Sequence, residues 1–360
     1  MGGLGRTCRN RPGGGDGGVR VAREGGAGIK DVAREAGVSV GTVSNVLNKP
    51  STVSEAKRRR VLDAISELGY VPNNAARQLK AGVSRAVGLV VVDTSNPFYG
   101  SIALAAEEAA EEQGLGLFVA NSHRRVSKEQ YYLSQFEQQR ARGILVTPGA
   151  ADLSQHRAVA ARGTRVVLVD SVEPEPDFCT VSADDFHGGR LAMQHLLDLG
   201  RKRITILGGP GHYRQIGRRR AGALSAAEGA GVEVEYVEPP EMSILAGRAL
   251  GEQVLSGPDR PDAIFAMNDL LATGVLQSLV MGRSLEVPSD IALIGYDDID
   301  FCESAVVPIT SVRQPAEELG REALQLLEAE ILEGEAHEHR DVVHQPRLVV
   351  RASTAGRAAL

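Results

Sequence analysis

Several polar side chains of this sequence directly follow short apolar segments, a placement typical of ligand-binding groups. Asp170 follows VVLV, Asn268 follows AIFAM, Asp297 follows IALIGY, and Arg214 and Arg220 follow the loop after ITIL. Ligands of open α/β sheets bind beyond the carboxyl ends of the strands, so these groups are expected to line one cleft. Carboxylates and forked guanidinium groups suit hydrogen bonding to vicinal hydroxyls or to another small polar ligand. The alternative is that each Asp or Asn only starts a turn or caps a helix.

A second set of short polar residues lies near the amino terminus, on the outward face of a predicted helix. This set comprises Ser39, Gly41, Thr42, Ser44, Asn45 and Asn48, and the apolar Val40 lies among them. Such side chains can reach base edges and phosphates without holding a helix away from the major groove. Cations at the start of the next helix, in the run Lys57–Arg60, are disfavoured by the helix dipole, and DNA phosphate would compensate for this. Both features also fit a solvated helix surface.

Three predicted helices position these residues. Apolar residues recur at helical spacing in Ile29–Ala36 and in Val40–Leu47. Gly37 can take the left-handed backbone conformation that ends the first helix, and Ser39 can cap the second. Two short helices across a glycine-containing turn are typical of the helix-turn-helix motif. A third helix begins at Ser54 and is expected to turn four residues inward, namely Val61, Leu62, Ile65 and Leu68.

The segment Val71–Lys80 is predicted to form a helix too short to be stable alone in water, so it needs a surface to order it. Leu79 lies in it between Arg77 and Lys80. A leucine with flanking cations suits a wedge in the minor groove of DNA. The alternative is that Leu79 packs against the neighbouring domain.

The motifs IKDVAREAGVSVGTVSNVLN and LGYVPNNAARQL resemble the headpiece and hinge helix of the LacI/GalR family of bacterial transcription regulators. This resemblance implies that Val40, Gly41 and Asn45 read bases and that Leu79 intercalates. Many members carry arginine at the position of Asn45, so the guanine contact of that arginine is lost here and the operator sequence is expected to differ.

The resemblance continues to about Thr354 and implies a periplasmic-binding-protein-like core of two subdomains. Its crossovers are expected near Ala183, Gln314 and Arg351. Effector-contacting positions of the family correspond to Asp170, Arg220, Asn268 and Asp297, while Phe98 and Tyr99 line the same cleft. Sugar-binding members often carry an aromatic residue roughly where Met242 stands, so an expected stacking surface for a sugar is missing.

From Ala86 onward, short apolar segments alternate with helical stretches, which predicts parallel sheets covered by helices on both faces. The predicted fold is therefore α/β, with a three-helix headpiece, a hinge helix and a core of two doubly wound parallel-sheet subdomains. The predicted boundaries are a disordered Gly/Arg-rich tail at 1–28, the DNA-binding domain at 29–71, the hinge and linker at 72–85, the core at 86–354 and a tail at 355–360.

Charge is unevenly distributed along the 360 residues, although the formal net charge is only −6. Residues 29–85 carry a net charge of +5 and residues 1–28 of +3, which leaves −14 on the remainder. A basic head on an acidic body keeps non-specific DNA contact local to the head. Residues 1–28 lack the apolar core of a signal peptide. We therefore expect a cytoplasmic protein associated with the nucleoid through DNA.

Metal and disulfide chemistry is not indicated by the sequence. Cys8, Cys179 and Cys302 are far apart and form no CxxC motif. His337, His339 and His344 lie in a charged stretch, which we interpret as a solvated loop. No cofactor and no metal site are predicted, and neither a nucleophile–base set nor a metal cluster for an enzyme is found.

These observations predict a transcription regulator, expected to be a repressor, that acts as a homodimer on pseudo-palindromic operator DNA and responds to a small-molecule effector such as a sugar. Two other classes share the body's fold. A transporter's solute-binding protein lacks the DNA-binding head, and an α/β enzyme requires the catalytic set that is not found.

Overall fold

The computed structural model describes residues 27–71, 84–171, 176–210, 213–256, 260–282 and 285–355. The predicted hinge residues Arg77, Leu79 and Lys80 lie outside these ranges, as do almost all of the predicted amino-terminal tail and most of the carboxyl-terminal one. The chain divides into two units between Gly82 and Val83.

The first unit is a three-helix head. Its helices are α1 (Ile29–Glu35), α2 (Val40–Asn48) and α3 (Glu55–Leu68), with a short 3-10 turn at Pro50–Thr52. Gly37 has a φ of 61° and ends the first helix, as predicted. The hydroxyl of Ser39 accepts a 3.1 Å hydrogen bond from the backbone N–H of Thr42 and so caps α2.

The small core of the head contains Val32, Val43, Val61 and Ala64, all buried. The prediction that Leu62 faces inward is wrong, since this side chain is 50% exposed. Successive helix residues are rotated by about 100°, so Leu62 points away from the face that Val61 shares with Ala64.

The second unit alternates strands and helices. Its strands are β1 (Ala86–Val91), β2 (Gly116–Asn121), β3 (Gly143–Val146), β4 (Val166–Val169), β5 (Cys179–Ala183), β6 (Arg203–Leu207), β7 (Glu233–Val237), β8 (Ala263–Ala266), β9 (Ala292–Asp297), β10 (Thr310–Arg313), β11 (Asp341–His344) and β12 (Arg347–Val349). Its helices are α4 (Pro97–Glu112), α5 (Val126–Gln138), α6 (Ser154–Ala161), α7 (Asp185–Asp198), α8 (Arg214–Ala227), α9 (Ile244–Ser256), α10 (Asp269–Gly282), α11 (Asp300–Ser304), α12 (Ala316–Glu333) and α13 (Ala352–Ala355).

The strands form two six-stranded sheets, with the orders β11-β5-β4-β3-β1-β2 and β12-β10-β9-β8-β6-β7. All strand pairs of the described residues are parallel except β10 with β12. Helices cover both faces of each sheet, so the predicted pair of doubly wound subdomains is confirmed. Within the described residues, no helix is both long and apolar enough to cross a membrane.

Three connections pass between the two sheets. The first two follow β5 and β10 and lie where they were predicted, at Ala183 and Gln314. The third joins β11 to β12 through residues 345–346, so the predicted position near Arg351 is wrong. The error arises because β11 is a short strand that pairs in parallel with β5, and its sequence, DVVH, holds too few apolar residues to predict a strand.

The helices α7 and α8 approach closely because glycines lie between them. A Cβ atom added at Gly189 would collide with the carbonyl oxygen of Arg219, and one added at Gly222 with that of Phe186. This close packing fixes the position of α8 above the second sheet, and α8 carries several of the cleft residues described below.

Candidate DNA-binding helix and effector cleft

The predicted DNA-reading face of α2 is largely exposed. Val40 is 41% exposed, and Gly41, Asn45, Asn48 and the capping Ser39 are exposed as well. Thr42 and Ser44 are half-buried.

Part of this face is engaged within its own helix. The amide of Asn48 donates a 2.8 Å hydrogen bond to the carbonyl of Ser44. Asn45 and Val40 therefore remain the side chains best placed to reach outward from α2, while all four cations of Lys57–Arg60 are exposed on α3.

A cleft lies between the two sheets of the second unit, at the carboxyl ends of their strands. Asp170 follows β4 of the first sheet, and Asp297 ends β9 of the second. Both are buried, and both have a positive φ, of 55° and 107°. Positive φ costs of order 1–3 kcal/mol for a residue other than glycine and is found preferentially at ligand sites. Backbone strain therefore marks both sides of this cleft.

The side chain of Asp170 accepts hydrogen bonds from neutral donors. Its Oδ2 accepts hydrogen bonds from the Tyr99 hydroxyl at 3.3 Å and from the Gln215 amide at 3.1 Å. Its Oδ1 is buried and accepts no hydrogen bond from the described residues. Burial raises the pKa of Asp170 to about 7, and the nearby carboxylate of Asp185 adds to this increase. The carboxyl group therefore has one acceptor oxygen available to a hydroxyl donor.

Asp297 is held by two amides. The Asn96 amide donates to its Oδ2 at 2.8 Å, and the Gln314 amide donates to its Oδ1 at 2.8 Å. Asn96 follows β1 in the first sheet, so its hydrogen bond to Asp297 spans the cleft. Gln215 in α8 spans it as well, because its amide reaches the backbone carbonyl of Asp170 at 2.8 Å.

The arginine beside Asp297 is Arg219, whereas Arg220 was predicted. Nη1 of Arg219 lies 3.7 Å from Oδ1 of Asp297. The guanidinium of Arg220 instead stacks on the ring of Tyr236, 4.0 Å from its centroid. The prediction that Arg220 faces Asp297 across the cleft is therefore wrong. The helix α8 begins at Arg214, and its inward face carries Ile216 and Arg219.

Arg219 is buried in a network of its own. Its Nε donates to Asp185 at 2.7 Å, its Nη1 donates to the Met267 carbonyl at 2.8 Å, and its guanidinium lies 3.8 Å from the centroid of the Tyr296 ring. The carboxylate of Asp185 compensates for the desolvation of the cation and raises the pKa of Arg219. Such a guanidinium stays charged and fixed in orientation, as a bidentate ligand contact requires.

The other predicted effector residues lie around the same cleft. Phe98 and Tyr99 are buried in the first turn of α4, with ring centroids 5.0 Å apart. Asn268 caps α10, where its Oδ1 accepts from the Leu271 N–H at 2.9 Å, and its amide donates to the Met242 carbonyl at 3.1 Å. The capping alternative therefore holds for Asn268, although its side chain also lines the cleft.

A second part of the cleft is lined by Arg214, together with Arg124 and Tyr213. The Arg124 guanidinium lies 4.5 Å from the centroid of the Tyr213 ring.

The cleft residues missed from the sequence include Asn96, Arg124, Gln215 and Arg219. Asn96 and Arg124 follow β1 and β2, so the strand-end rule that identified Asp170 would also have identified them. The helical spacing Ile216–Arg219–Ala223 would have pointed to Arg219, since it places this cation on the apolar face of α8.

The adjacent carboxylates Asp184 and Asp185, like Asp297 and Asp298, have different partners. Asp298 pairs with Arg313 and Arg351, on the opposite side from Asp297. Asp184 caps α7 by accepting from the His187 N–H at 3.0 Å, whereas Asp185 binds Arg219. Neighbouring carboxylates thus serve separate structural purposes.

Two family descriptions match this chain. Residues 28–73 match the bacterial regulatory proteins of the lacI family, and residues 193–354 match a periplasmic binding protein-like domain. The first match covers the three-helix head, and the second covers most of the second sheet and its helices.

Similar proteins have been characterised. The ribose operon repressor of Bacillus subtilis is 36% identical over 302 residues, which cover 84% of this chain and 90% of the relative. A crystal structure of the lac repressor dimer bound to operator and the anti-inducer ONPF superposes with a TM-score of 0.79 at 26% identity, over 92% of this chain and 99% of that one. A LacI family regulator from Enterococcus faecium with bound ribose superposes with a TM-score of 0.68 at 26% identity, over 75% of this chain and 99% of that one. This chain therefore belongs to the LacI family of DNA-binding transcription regulators.

Proposed function

We propose that this protein is a dimeric repressor that reads operator DNA with α2 and changes its operator affinity when a small polyhydroxylated effector binds in the cleft. The observation that carries the effector assignment is the unsatisfied, buried Oδ1 of Asp170. A buried acceptor without a donor costs about 1–3 kcal/mol, and a ligand hydroxyl would remove this cost.

The donors and acceptors of the cleft fit a sugar. Asp170 and Asp297 can accept from hydroxyls, while Arg219 can donate to ring or hydroxyl oxygens in a forked geometry. Phe98 supplies an apolar ring to the cleft, whereas Met242 stands at the position where an aromatic residue was expected. Two relatives are named for ribose or contain it, and we infer a pentose or a related polyol as the effector class.

Effector binding is coupled to closure of the cleft. The hydrogen bonds Asn96–Asp297 and Gln215–Asp170 already join the two subdomains. An effector shifts the equilibrium between closed and open forms only by its different affinity for each. The effector must therefore add contacts to both subdomains, or else replace these two bridges.

The dimer is inferred from an exposed apolar edge as well as from the lac repressor dimer. Strand β2 is an edge of the first sheet, and its Phe118 and Val119 are 58% and 49% exposed. Leu104 of the neighbouring α4 is 60% exposed. Exposed apolar edges of this kind are expected to be covered by a partner. Two copies related by a twofold axis would present two heads to a pseudo-palindromic operator.

The test compares two neighbouring arginines. Arg219→Lys should weaken effector binding by about tenfold or more, because the forked contact is lost. Arg220→Lys is the matched control and should bind effector as the wild type does, because Arg220 stacks on Tyr236. Calorimetric titration with ribose, related polyols, sugar phosphates and purines gives the affinities, and operator anisotropy with and without the ligand gives the direction of the switch.

Two outcomes would contradict the proposal. If Arg220→Lys lost the response and Arg219→Lys kept it, the effector would bind elsewhere. If no polyol bound but another ligand class did, with Arg219 still required, the cleft would be right and the effector class wrong.

A further inference from the structure

We propose that this protein contains a structural zinc site, formed by Cys179, Glu330, His337 and His339, away from the effector cleft. The potential ligand atoms of these four side chains all lie within 4.8 Å of one another. Cysteine sulfur, histidine nitrogen and carboxylate oxygen are the groups that bind zinc in proteins, and a structural zinc ion is bound tetrahedrally by four protein groups.

The four residues come together from three elements. Cys179 begins β5, Glu330 lies in the last turn of α12, and both histidines lie in the connection from α12 to β11. Cys179 and His337 are separated by 158 positions in the sequence, yet Sγ lies 3.1 Å from Nε2. The sequence interpretation of this stretch as a solvated loop is wrong for His337, whose side chain is only 2% exposed.

Glu330 supplies an observation that is independent of the cysteine. Its side chain is 6% exposed, and its Oε2 is buried and accepts no hydrogen bond from the described residues. Its Oε1 lies 3.6 Å from Arg165, so only one oxygen of the carboxylate has a charged partner. A buried carboxylate oxygen without a partner is costly, and a cation placed between it and Cys179 would compensate for this cost.

His337 is already oriented as a ligand. Its Nδ1 lies 2.7 Å from Oε2 of Glu333, and a carboxylate can only accept, so Nδ1 carries the hydrogen. In neutral imidazole this leaves the lone pair on Nε2, which points at Cys179. A carboxylate behind the ring is the usual arrangement for zinc-bound histidine. The N–H of Arg340 also donates to Cys179 Sγ at 3.4 Å and would support a thiolate.

Zinc binding at this site releases one proton. The Cys179 thiol gives its proton to solvent, and the thiolate forms the Zn–S bond at about 2.3 Å, with Zn–N and Zn–O bonds of about 2.0–2.2 Å. These bond lengths require Sγ of Cys179 and Nε2 of His337 to move slightly apart from their 3.1 Å separation, whereas ligand atoms near the 4.8 Å limit must move closer. The metal would link the connection before β11 to the amino-terminal end of β5 and to α12. Strand β11 is one of the strands through which the chain passes between the subdomains.

Cobalt(II) is the probe, because a thiolate ligand gives it a near-ultraviolet charge-transfer band and a tetrahedral site gives it strong visible bands. Full-length protein without a polyhistidine tag should bind one cobalt ion per chain with both features, and zinc should displace it. Cys179→Ser should lose the charge-transfer band. Cys302→Ser, the matched control, should keep it, because Cys302 lies in the core of the second sheet.

Two further variants separate ligation from folding. His339 is exposed, so His339→Ala should fold normally and still lose the tetrahedral spectrum. Glu333→Gln should keep the spectrum and weaken zinc binding by roughly 10- to 100-fold, as expected for a group that orients a ligand. Ribose titrations should be unchanged in both, which keeps this test independent of the effector cleft. Wild-type protein without a charge-transfer band, or a band that survives Cys179→Ser, would overturn the proposal.

Discussion

Asn96 of the first subdomain donates a 2.8 Å hydrogen bond to Asp297 of the second, and both side chains are buried in the cleft between them. Asn96 also accepts from the Phe98 N–H at 3.0 Å and so caps α4. One side chain therefore holds the first turn of α4, which carries the aromatic residues of the cleft, and joins it to the opposite sheet. Closure of the cleft and the position of its apolar wall are linked through this residue.

Asn96→Asp should open the cleft. The substitution keeps a capping oxygen for α4 but places a second carboxylate beside Asp297, and losing a hydrogen bond to a charged group costs about 1.5–3 kcal/mol. Spin labels at exposed Ala151 and Glu241, in the loops after β3 and β7, should move apart on average. Asn96→Ser, which keeps a cap without adding charge, should shift the distance distribution much less. Equal distributions for the two variants would contradict a role for charge in this bridge.

Asp170→Asn should stabilise the protein at and above pH 7. The pKa of Asp170 is raised from 3.8 to about 7, so between these values the folded state binds more protons than the unfolded state. The stability contributed by this proton is present at low pH and is lost as pH rises through 7. The substitution to Asn removes this pH-dependent loss of stability. The loss amounts to at most about 4 kcal/mol, at roughly 1.4 kcal/mol per pKa unit.

Urea denaturation of both proteins from pH 4 to pH 8 checks this prediction, because the difference in unfolding free energy should grow with pH. Asp152→Asn is the control of opposite sign. A hydrogen bond from the Ser154 N–H lowers the pKa of Asp152, so its replacement should cost stability at neutral pH. A difference for Asp170→Asn that stays constant with pH would contradict the raised pKa.

Gly189→Ala should destabilise the second subdomain. The new methyl group would collide with the backbone of α8 at Arg219, and overpacking of this kind typically costs about 1–3 kcal/mol. Gly100→Ala, at an exposed position of α4, meets no atom within 4 Å and should instead stabilise by roughly 0.5–1 kcal/mol. Unfolding free energies of the two variants should therefore change with opposite signs. A neutral Gly189→Ala would show that the two helices can separate without cost.

Asn45→Arg should change which operator base pair is preferred. The side chain at this position is exposed on α2, and a bidentate guanidinium selects guanine with roughly 1–3 kcal/mol of discrimination. Selection from a randomised operator library measures the preference. Ser66→Arg, at an exposed position of α3, adds the same charge and should strengthen binding without changing the consensus. An unchanged consensus for Asn45→Arg would mean that this residue does not face the bases.

The sequence by itself determined the features that depend on neighbours along the chain. The end of α1 at Gly37 and the cap at Ser39 follow from local backbone preferences, and the positions of most strands follow from continuous apolar runs. The strand-end rule placed Asp170 and Asp297 in the cleft, because the carboxyl ends of parallel strands lie at one edge of each sheet and these edges of the two sheets line the same cleft.

Only the tertiary structure decided which side chains meet across the fold. Arg219 rather than Arg220 enters the cleft because the phase of α8 is fixed by its packing on α7, and a shift of one residue turns a helix by about 100°. Strand β11 exists because β5 offers it a parallel partner, and its own sequence is too polar to predict it. Cys179 meets His337 for the same reason, since pairing between distant segments, rather than local spacing, brings them to one end of the sheet.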